Sequence, residues 1–236
     1  MNSKPKRILL KLSGEILQGD RPFGLSNDVV TEIVREIIKI HEHGFQIAVV
    51  IGAGNFFRGV SEMGNFMSRT EADNIGMLAT IQNSIALKEK FLQLGVNAGI
   101  YTSRQFGNIG KVFSANLVNN ALDNGQVAIF GGGIGNPFFT TDTTAVLRAL
   151  EINATMVLKG TKVDGIFDKD PVKNDDAIFY PKITYDEYIK LNLRVMDLTA
   201  ISLARENKLP IKVFNVRDNK NISKAVFEND FGSIIQ

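Results

Sequence analysis

The sequence predicts an α/β protein in which helices cover both faces of a mainly parallel sheet. Short apolar runs alternate along the chain with segments whose apolar residues recur at helical spacing. Within these runs polar and apolar residues do not alternate, which is typical of strands that are buried on both faces. Three of the runs end in glycine turns, and the ligands of parallel sheets bind at the carboxyl ends of the strands.

The chain opens with a strand, a helix and a second strand. Residues 6–13 (KRILLKLS) predict the first strand because they are apolar and short. Ser26 or Asn27 is expected to cap the first helix, and Gly44 to end it. Residues 45–51 (FQIAVVI) predict the second strand.

A long helix follows, for which Thr70 is the predicted N-cap and Gly95 the predicted stop. Its apolar residues recur at helical spacing, so we expect them to face the core. They are Ile75, Leu78, Ile81, Ile85 and Leu92.

The rest of the chain continues the pattern with shorter elements. The predicted elements are a strand at 96–101, a short irregular region, a helix at 115–123, a strand at 126–130, a helix near 143–150 and a strand at 155–158. An acidic loop at 164–176, a helix with a capping box at Thr184 and Glu187, a helix through Ala204, a strand at 211–214 and a short tail follow. No repeat or linker marks a boundary, so we expect one domain over residues 1–236, with two lobes around a cleft.

Composition excludes several classes of protein. The 236 residues are 44% hydrophobic and 22% charged, with a net charge of +2, so electrostatics does not favour binding to nucleic acid or to a membrane surface. The absence of cysteine excludes disulfides and thiolate chemistry. No apolar run is long enough to span a bilayer, and the N-terminus lacks the apolar segment of a signal peptide. A cytoplasmic protein is therefore expected.

The glycine turns indicate a phosphate site. Residues 131–145 (GGGIGNPFFTTDTTA) pass from a strand into a helix, and residues 52–59 (GAGNFFRG) form a second such turn. Glycine allows close approach of the backbone, and a helix N-terminus favours negative charge. Lys11, two residues before the end of the first strand, and Arg58, within the second turn, add cations.

Common phosphate-binding motifs do not fit. The chain has no G-x-x-x-x-G-K-[ST] string, and GAGNFFRG lacks the spacing of a dinucleotide fingerprint. A kinase that aligns two phosphorylated ligands fits better, because cations and N–H groups provide most of the catalysis in phosphoryl transfer. Asp142 could orient Lys11, approach a magnesium ion, or simply stabilise its helix N-terminus. Asp73 could cap its helix or accept hydrogen bonds from a sugar hydroxyl.

Taken together, the motifs closely resemble those of bacterial uridylate kinases (UMP kinases), a branch of the amino-acid kinase superfamily. The matching segments are 11–15 (KLSGE), 52–59 (GAGNFFRG), 77–80 (MLAT), 135–142 (GNPFFTTD), 162–165 (KVDG), 170–171 (DP) and 195–198 (VMDL). They span the chain in order, and GNPFFTTD is specific to the uridylate branch.

The resemblance implies a three-layer αβα sandwich that assembles as a homohexamer and converts MgATP and UMP to MgADP and UDP in pyrimidine nucleotide synthesis. Residues 1–150 would form the UMP-binding lobe and residues 151–236 the ATP-binding lobe. GTP and UTP are the effectors that it implies. The loop linked to GTP activation in relatives matches Gly19, Asp20, Arg21, Pro22, Phe23 and Gly24.

The resemblance also assigns site residues. ATP would contact Lys11, Leu12, Ser13, Gly14, Gly54, Arg58, Thr161, Phe167 and Asp170. UMP would contact Ala53, Asp73, Ile134, Gly135, Asn136, Pro137, Phe138, Phe139, Thr140 and Thr141. The catalytic set would be Lys11, Arg58, Asp142 and Asp197, with Mg²⁺ carried by ATP and no protein ligand assigned to it.

Two positions depart from the usual pattern. Ala53 stands where relatives have glycine, which is tolerable only if its φ stays negative. Phe167 keeps the ring of the usual tyrosine and lacks its hydroxyl. Two alternatives remain: a module that senses UMP or UTP without turnover, and a kinase that acts on a carboxylate or carbamate. Retention of Lys11 and both aspartates argues against the sensor, and the GNPFFTTD segment argues against the other kinase.

Overall fold

A nine-stranded sheet forms the centre of the fold. The computed structural model describes residues 6–57 and 67–236, and the strands are numbered within them. They are β1 (Arg7–Leu12), β2 (Gln46–Ile51), β3 (Ala98–Thr102), β4 (Lys111–Val112), β5 (Val127–Gly131), β6 (Met156–Thr161), β7 (Ile166–Phe167), β8 (Phe179–Tyr180), β9 (Lys182–Ile183), β10 (Ile211–Asn215) and β11 (Ser233–Ile235). The order is β4-β3-β5-β2-β1-β6-β10-β11-β9, and β7 pairs with β8 separately. Within the nine-stranded sheet, β10 and β11 are antiparallel and the other pairs are parallel.

Helices cover both faces of this sheet. They are α1 (Asn27–Glu42), α2 (Arg69–Gln93), α3 (Ala115–Asp123), α4 (Thr141–Glu151), α5 (Tyr185–Lys190), α6 (Leu198–Glu206) and α7 (Asn221–Phe227), with a 3-10 turn at Gly14–Gln18. One apolar core lies between the sheet and α3 to α6, and the other lies between the sheet and α1, α2 and α7. In β1, Leu9 belongs to the first core and Leu10 to the second. The predicted α/β fold with a mainly parallel sheet is thus confirmed.

The predicted boundaries of α1 and α4 are close to those observed, and the predicted bounds of α3 agree with the structure. Ser26 occupies the N-cap position of α1, without a side-chain cap hydrogen bond. Gly44 follows the helix with a φ of 83°, a conformation that glycine adopts without strain. The capping box at Thr184 and Glu187 is present at the start of α5.

Two expectations about α2 are wrong. The N-cap is Ser68, whose hydroxyl accepts a hydrogen bond from the Glu71 N–H, and Thr70 lies inside the first turn. Of the five apolar residues expected to face the core, only Ile81 is buried. Ile75, Leu78, Ile85 and Leu92 are exposed, Leu78 by 51%.

The buried face of α2 carries small and polar side chains instead. Ala72, Ala79, Asn83 and Ser84 are buried there, with Leu87 and Phe91 further along. Gly131 of β5 has no side chain, which lets the helix approach this strand closely: a Cβ on Gly131 would lie 2.8 Å from the Cδ1 of Ile81. The spacing of the apolar residues therefore predicted the wrong face of this helix as the buried one.

The short strands and the last two elements of the chain were not predicted. β4, β7, β8 and β9 have two residues each, too few to show a periodicity. The predicted short tail contains α7 and the antiparallel strand β11. Across the described ranges, no helix combines the length and apolar character that crossing a bilayer requires.

Candidate active site

The glycine turns meet at one edge of the sheet. The central strands are β5, β2, β1 and β6, all parallel, so their carboxyl ends lie side by side. The sheet reverses its direction of growth at β1, because β2 and β6 lie on opposite sides of it. Such a reversal opens a crevice in which α/β proteins bind their ligands.

A buried cluster of three charges lies at the centre of this edge. Lys11 and Lys159 are register partners on β1 and β6. The Lys11 Nζ lies 2.7 Å from the Asp142 Oδ1, and Lys159 forms an ion pair with the Asp142 Oδ2. The three side chains are only 13%, 8% and 12% exposed, in the order Lys11, Lys159, Asp142. Two cations are therefore held on one carboxylate.

The electrostatics of the cluster follow from burial and mutual contact. Burial by itself would raise the pKa of Asp142, but the ammonium groups of Lys11 and Lys159 hold that pKa below its ordinary value. Burial and the neighbouring charge of Lys11 lower the pKa of Lys159 to about 8, although Asp142 favours its charged form. Asp142 is thus ionised at neutral pH, and Lys159 loses its proton as the pH rises through about 8.

Sequence reasoning missed Lys159. It directly follows the apolar run 155–158, so the predicted strand ended one residue before it, whereas β6 extends to Thr161. The Lys159 Nζ also donates a hydrogen bond to the carbonyl oxygen of Val195. The signal that locates it is the pairing of β1 with β6, which is a property of the folded sheet.

Two helix N-termini converge on Asp197. The Thr140 hydroxyl caps α4 by accepting from the N–H groups of Asp142 at 3.1 Å and Thr143 at 3.2 Å. Asp197 caps α6 by accepting from the Ala200 N–H at 2.9 Å. The same carboxylate accepts hydrogen bonds from the hydroxyls of Thr140 and Thr143. Asp197 therefore fixes the segment that carries Asp142.

A cavity of about 440 Å³ lies between α2 and the segment that follows β5. Seven of the ten residues expected to contact UMP line it: Ala53, Asp73, Ile134, Asn136, Phe139, Thr140 and Thr141. Gly135, Pro137 and Phe138 are not among its lining residues. Gly54 and Glu15 complete the wall nearest to β1.

Asp73 organises one side of this cavity. Its carboxylate accepts a hydrogen bond at 2.8 Å from the Arg69 Nε and another at 2.8 Å from the Phe138 N–H. Phe138 has a φ of 70°, an unusual conformation for an aromatic residue, and Arg69 lies 5.5 Å from its ring centroid. Arg69 also lines the cavity, and the sequence analysis did not select it.

Ala53 meets the condition set by the sequence. It is not among the four non-glycine residues of positive φ in the described chain, which are Phe138, Asn153, Asn192 and Lys208. Its methyl group therefore causes no backbone strain in this turn.

A second cavity of about 440 Å³ lies beyond the end of β6. Phe167 and Asp170 line it, opposite a loop that runs from Asn192 to Val195. Thr161, the last residue of β6, is not among the lining residues, and its carbonyl oxygen accepts from the Val216 N–H at 2.8 Å. Val195 connects this cavity to the charged cluster, because it also accepts from Lys159.

The remaining predicted residues are placed as follows. Leu12 is fully buried, so its side chain belongs to the core, and Ser13 and Gly14 begin the turn after β1. Arg58 lies outside the described residues. Within the described ranges, no three side chains of the His, Cys, Asp or Glu type are grouped as a metal site.

The fold and the site define a class of protein. The model of the amino acid kinase family matches residues 6–215, and the chain belongs to that family. The structure of UMP kinase from Bacillus anthracis is 37% identical, with a TM-score of 0.93 over 98% of this chain and 96% of that one. UMP kinase from Ureaplasma parvum is 34% identical, with a TM-score of 0.92 over 99% and 100% of the two chains. Uridylate kinase from Archaeoglobus fulgidus, at 23% identity and a TM-score of 0.73, shares the fold.

Proposed function

We propose that this protein is a UMP kinase that transfers the γ-phosphoryl group of ATP directly and in line to UMP, giving ADP and UDP for pyrimidine nucleotide synthesis. The observation that carries the proposal is the buried Lys11–Asp142–Lys159 cluster, which lies close to two cavities of nucleotide size. The similarity to two UMP kinases over nearly the whole chain supports the choice of acceptor.

The cavity beside α2 is the proposed UMP site. Asp73 would accept a hydrogen bond from the ribose while it holds Phe138 in place. The segment 134–141 would enclose the uracil and present backbone N–H groups to the phosphate. In this proposal the first lobe, residues 1–150, carries the acceptor.

The cavity lined by Phe167 and Asp170 is the proposed adenine and ribose site. From there the ATP phosphates would extend along the turn at Ser13 and Gly14 to the two lysines. Lys11, Lys159 and Arg58 would then neutralise charge that develops on the transferred group, the largest protein contribution in such reactions. Residues 151–236 would contain most of the donor lobe.

The residues near the cluster fit a magnesium ion that is held mainly by the phosphates of ATP, because they offer it few ligands of their own. Both oxygens of Asp142 face lysines, so this carboxylate is a poor sole ligand. Mg²⁺ commonly binds through substrate phosphates and water with one or two carboxylates. When bound, it would neutralise charge on the phosphates. Asp142 would hold the two lysines in place, and Asp197 would act as a positioning residue through Thr140 and Thr143.

We also propose that the protein works in the cytoplasm as a homohexamer, with GTP and UTP as effectors and the loop 19–24 as the activation loop. The exposed apolar stripe Ile75, Leu78, Ile85 and Leu92 on α2 supports self-association, because such a contiguous face favours contact with a second copy. Sedimentation equilibrium tests this: Ile85→Arg should dissociate the assembly, and Ile178→Arg, at an exposed apolar residue elsewhere, should not. Titrating GTP and UTP into the kinase assay tests the effectors.

One assay tests the central proposal. ADP release by the purified protein is coupled to NADH oxidation, with UMP, CMP and glutamate offered as acceptors in parallel, and ³¹P NMR identifies the product. Turnover with UMP and formation of UDP are expected. No UMP-dependent ADP release would overturn the proposal, and tight UMP binding without turnover would favour a sensor. Turnover with glutamate alone would favour a kinase of carboxylates.

A further inference from the structure

Two buried asparagines link α2 to the glycine turns. Asn55, in the turn after β2, and Asn83, in the middle of α2, are 2% and 0% exposed. Their side-chain amides bond reciprocally: the Asn55 Nδ2 donates to the Asn83 Oδ1 at 2.9 Å, and the Asn83 Nδ2 donates to the Asn55 Oδ1 at 2.8 Å. A closed amide pair of this kind satisfies groups that would be costly to bury alone.

The pair extends into the backbone on both sides. The Asn83 Nδ2 also donates to the carbonyl oxygen of Gly52 at 2.8 Å. Asn55 forms two hydrogen bonds with the backbone of Gly24. Its side-chain Nδ2 donates to the Gly24 carbonyl oxygen at 2.9 Å, and its backbone carbonyl oxygen accepts from the Gly24 N–H at 2.8 Å. One residue of α2 is therefore connected to the turn 52–55 and to the end of the loop 19–24.

The turn at Gly14 packs directly on this pair. A Cβ on Gly14 would collide with the carbonyl oxygen of Gly52 and with the Asn55 Oδ1, so only glycine permits the contact. The Gly52 N–H donates to the Leu12 oxygen at 2.9 Å, which continues the pairing of β1 with β2 past the ends of the strands. A displacement of Asn55 would therefore displace Gly14.

We propose that Asn83 is a positioning residue: through Asn55 and Gly52 it sets the position of the phosphate-binding turn at Gly14 and ties the loop 19–24 to it. Asn83 lines neither of the two substrate cavities, so its influence passes through Asn55 and Gly52. The kinetic test of this inference rests on the proposed kinase function. The structural test rests on the hydrogen-bond network alone.

The expected kinetic effect is on turnover. Asn83→Ser shortens the side chain and removes the amide, and Asn83→Asp keeps the shape but replaces the Nδ2 donor with an oxygen, so both donations are lost in each variant. Since small misplacements of reacting groups cost up to about 100-fold, each should lower kcat by about 10- to 100-fold, while the KM values for ATP and UMP change less than about threefold. Ser84→Ala is the matched control, because Ser84 is equally buried on the same helix and its hydroxyl bonds to the Thr80 oxygen within that helix.

Hydrogen–deuterium exchange supplies the second readout, which does not depend on activity. In both Asn83 variants, peptides that cover residues 12–24 should exchange at least about tenfold faster than in the native protein or in Ser84→Ala, because the amide pair no longer holds them. The double variant Asn55→Ala/Asn83→Ser should lose less kcat than the sum of the two single losses, since both residues act through one hydrogen-bond network.

The outcomes separate the two proposals. A native protein that makes no UDP contradicts the proposed function alone. Unchanged exchange at residues 12–24, or a folded Asn83 variant with native kcat, contradicts the positioning role alone. Failure of both Asn83 variants to fold would assign the pair to folding and would likewise overturn it.

Discussion

Lys159 lies directly across from Lys11 in the parallel pairing of β1 with β6, and both ammonium groups reach the carboxylate of Asp142. Two positive charges therefore lie on neighbouring strands, largely buried, and share one carboxylate. Such an arrangement costs stability, which makes it a candidate for chemistry.

Removing the charge of Lys159 should abolish most of the turnover. Lys159→Met should lower kcat by about 100-fold or more, the usual loss when one stabilising group of a transition state is removed. Lys212→Met is the matched control, because Lys212 is a lysine of equal exposure on the neighbouring strand β10 that donates to the Glu228 oxygen. Steady-state assays with saturating ATP and UMP measure the effect. Equal losses in the two variants would contradict a specific role for Lys159.

The activity should decline above a pH of about 8. Burial and Lys11 lower the pKa of Lys159 to about 8, so raising the pH through that value removes its proton and one of the two cations. A pH profile of kcat/KM from 6 to 10, which reports groups of the free enzyme, should show this loss as a single alkaline limb. In Lys159→Arg the guanidinium stays charged, and the limb should move to higher pH. An unchanged limb in that variant would show that another group titrates.

Neutralising Asp142 should harm both stability and turnover. Asp142→Asn leaves two buried ammonium groups without a counter-charge, and breaking such a pair typically costs about 3–5 kcal/mol. The pKa of Lys159 should fall further, because Asp142 favours its charged form more strongly than Asp197 does. Chemical denaturation measures the first effect, and the alkaline limb of the pH profile, shifted to lower pH, measures the second. A variant of native stability would contradict the coupling.

Removing the carboxylate of Asp73 should weaken binding of UMP and leave that of ATP unchanged. Asp73→Ala frees the Phe138 N–H and the Arg69 side chain, so the strained turn at Phe138 loses its anchor. We expect the KM for UMP to rise at least about tenfold, consistent with about 1.4 kcal/mol or more. Glu71→Ala, at an exposed acidic residue two positions earlier in the same helix, is the control. A rise in the KM for ATP alone would contradict the assignment of this cavity.

The strands and glycine turns of the site were predictable because they depend on local composition. Apolar runs identified β1, β2, β5 and β6, and glycine marked the turns at their ends. The sequence also placed Asp142 at the start of a helix near Lys11. These features need only short stretches of chain and the rule that ligands bind at the carboxyl ends of parallel strands.

Features that depend on register or on distant contacts were not predictable. Lys159 becomes a partner of Lys11 only when β6 lies beside β1, and no local sequence pattern predicts the order of the strands in the sheet. The second cavity needs the loop 192–195 to close over Phe167, more than 20 residues earlier in the sequence. On α2 the apolar stripe predicted a core face, whereas the core lies against small and polar residues such as Asn83. There the tight approach to the glycine turns decided the packing.

The position of β11 has a consequence for the order in which the protein matures on the ribosome. Among the described strands, β9 joins the main sheet through β11 alone, although β11 is synthesised about 50 residues later. Until β11 has emerged and paired with β10, β9 has no backbone partner in that sheet, and α5 and the loop 192–195 lack their final support. Strands β1 to β5 can therefore pair during translation, whereas β9 must wait for the chain that follows it.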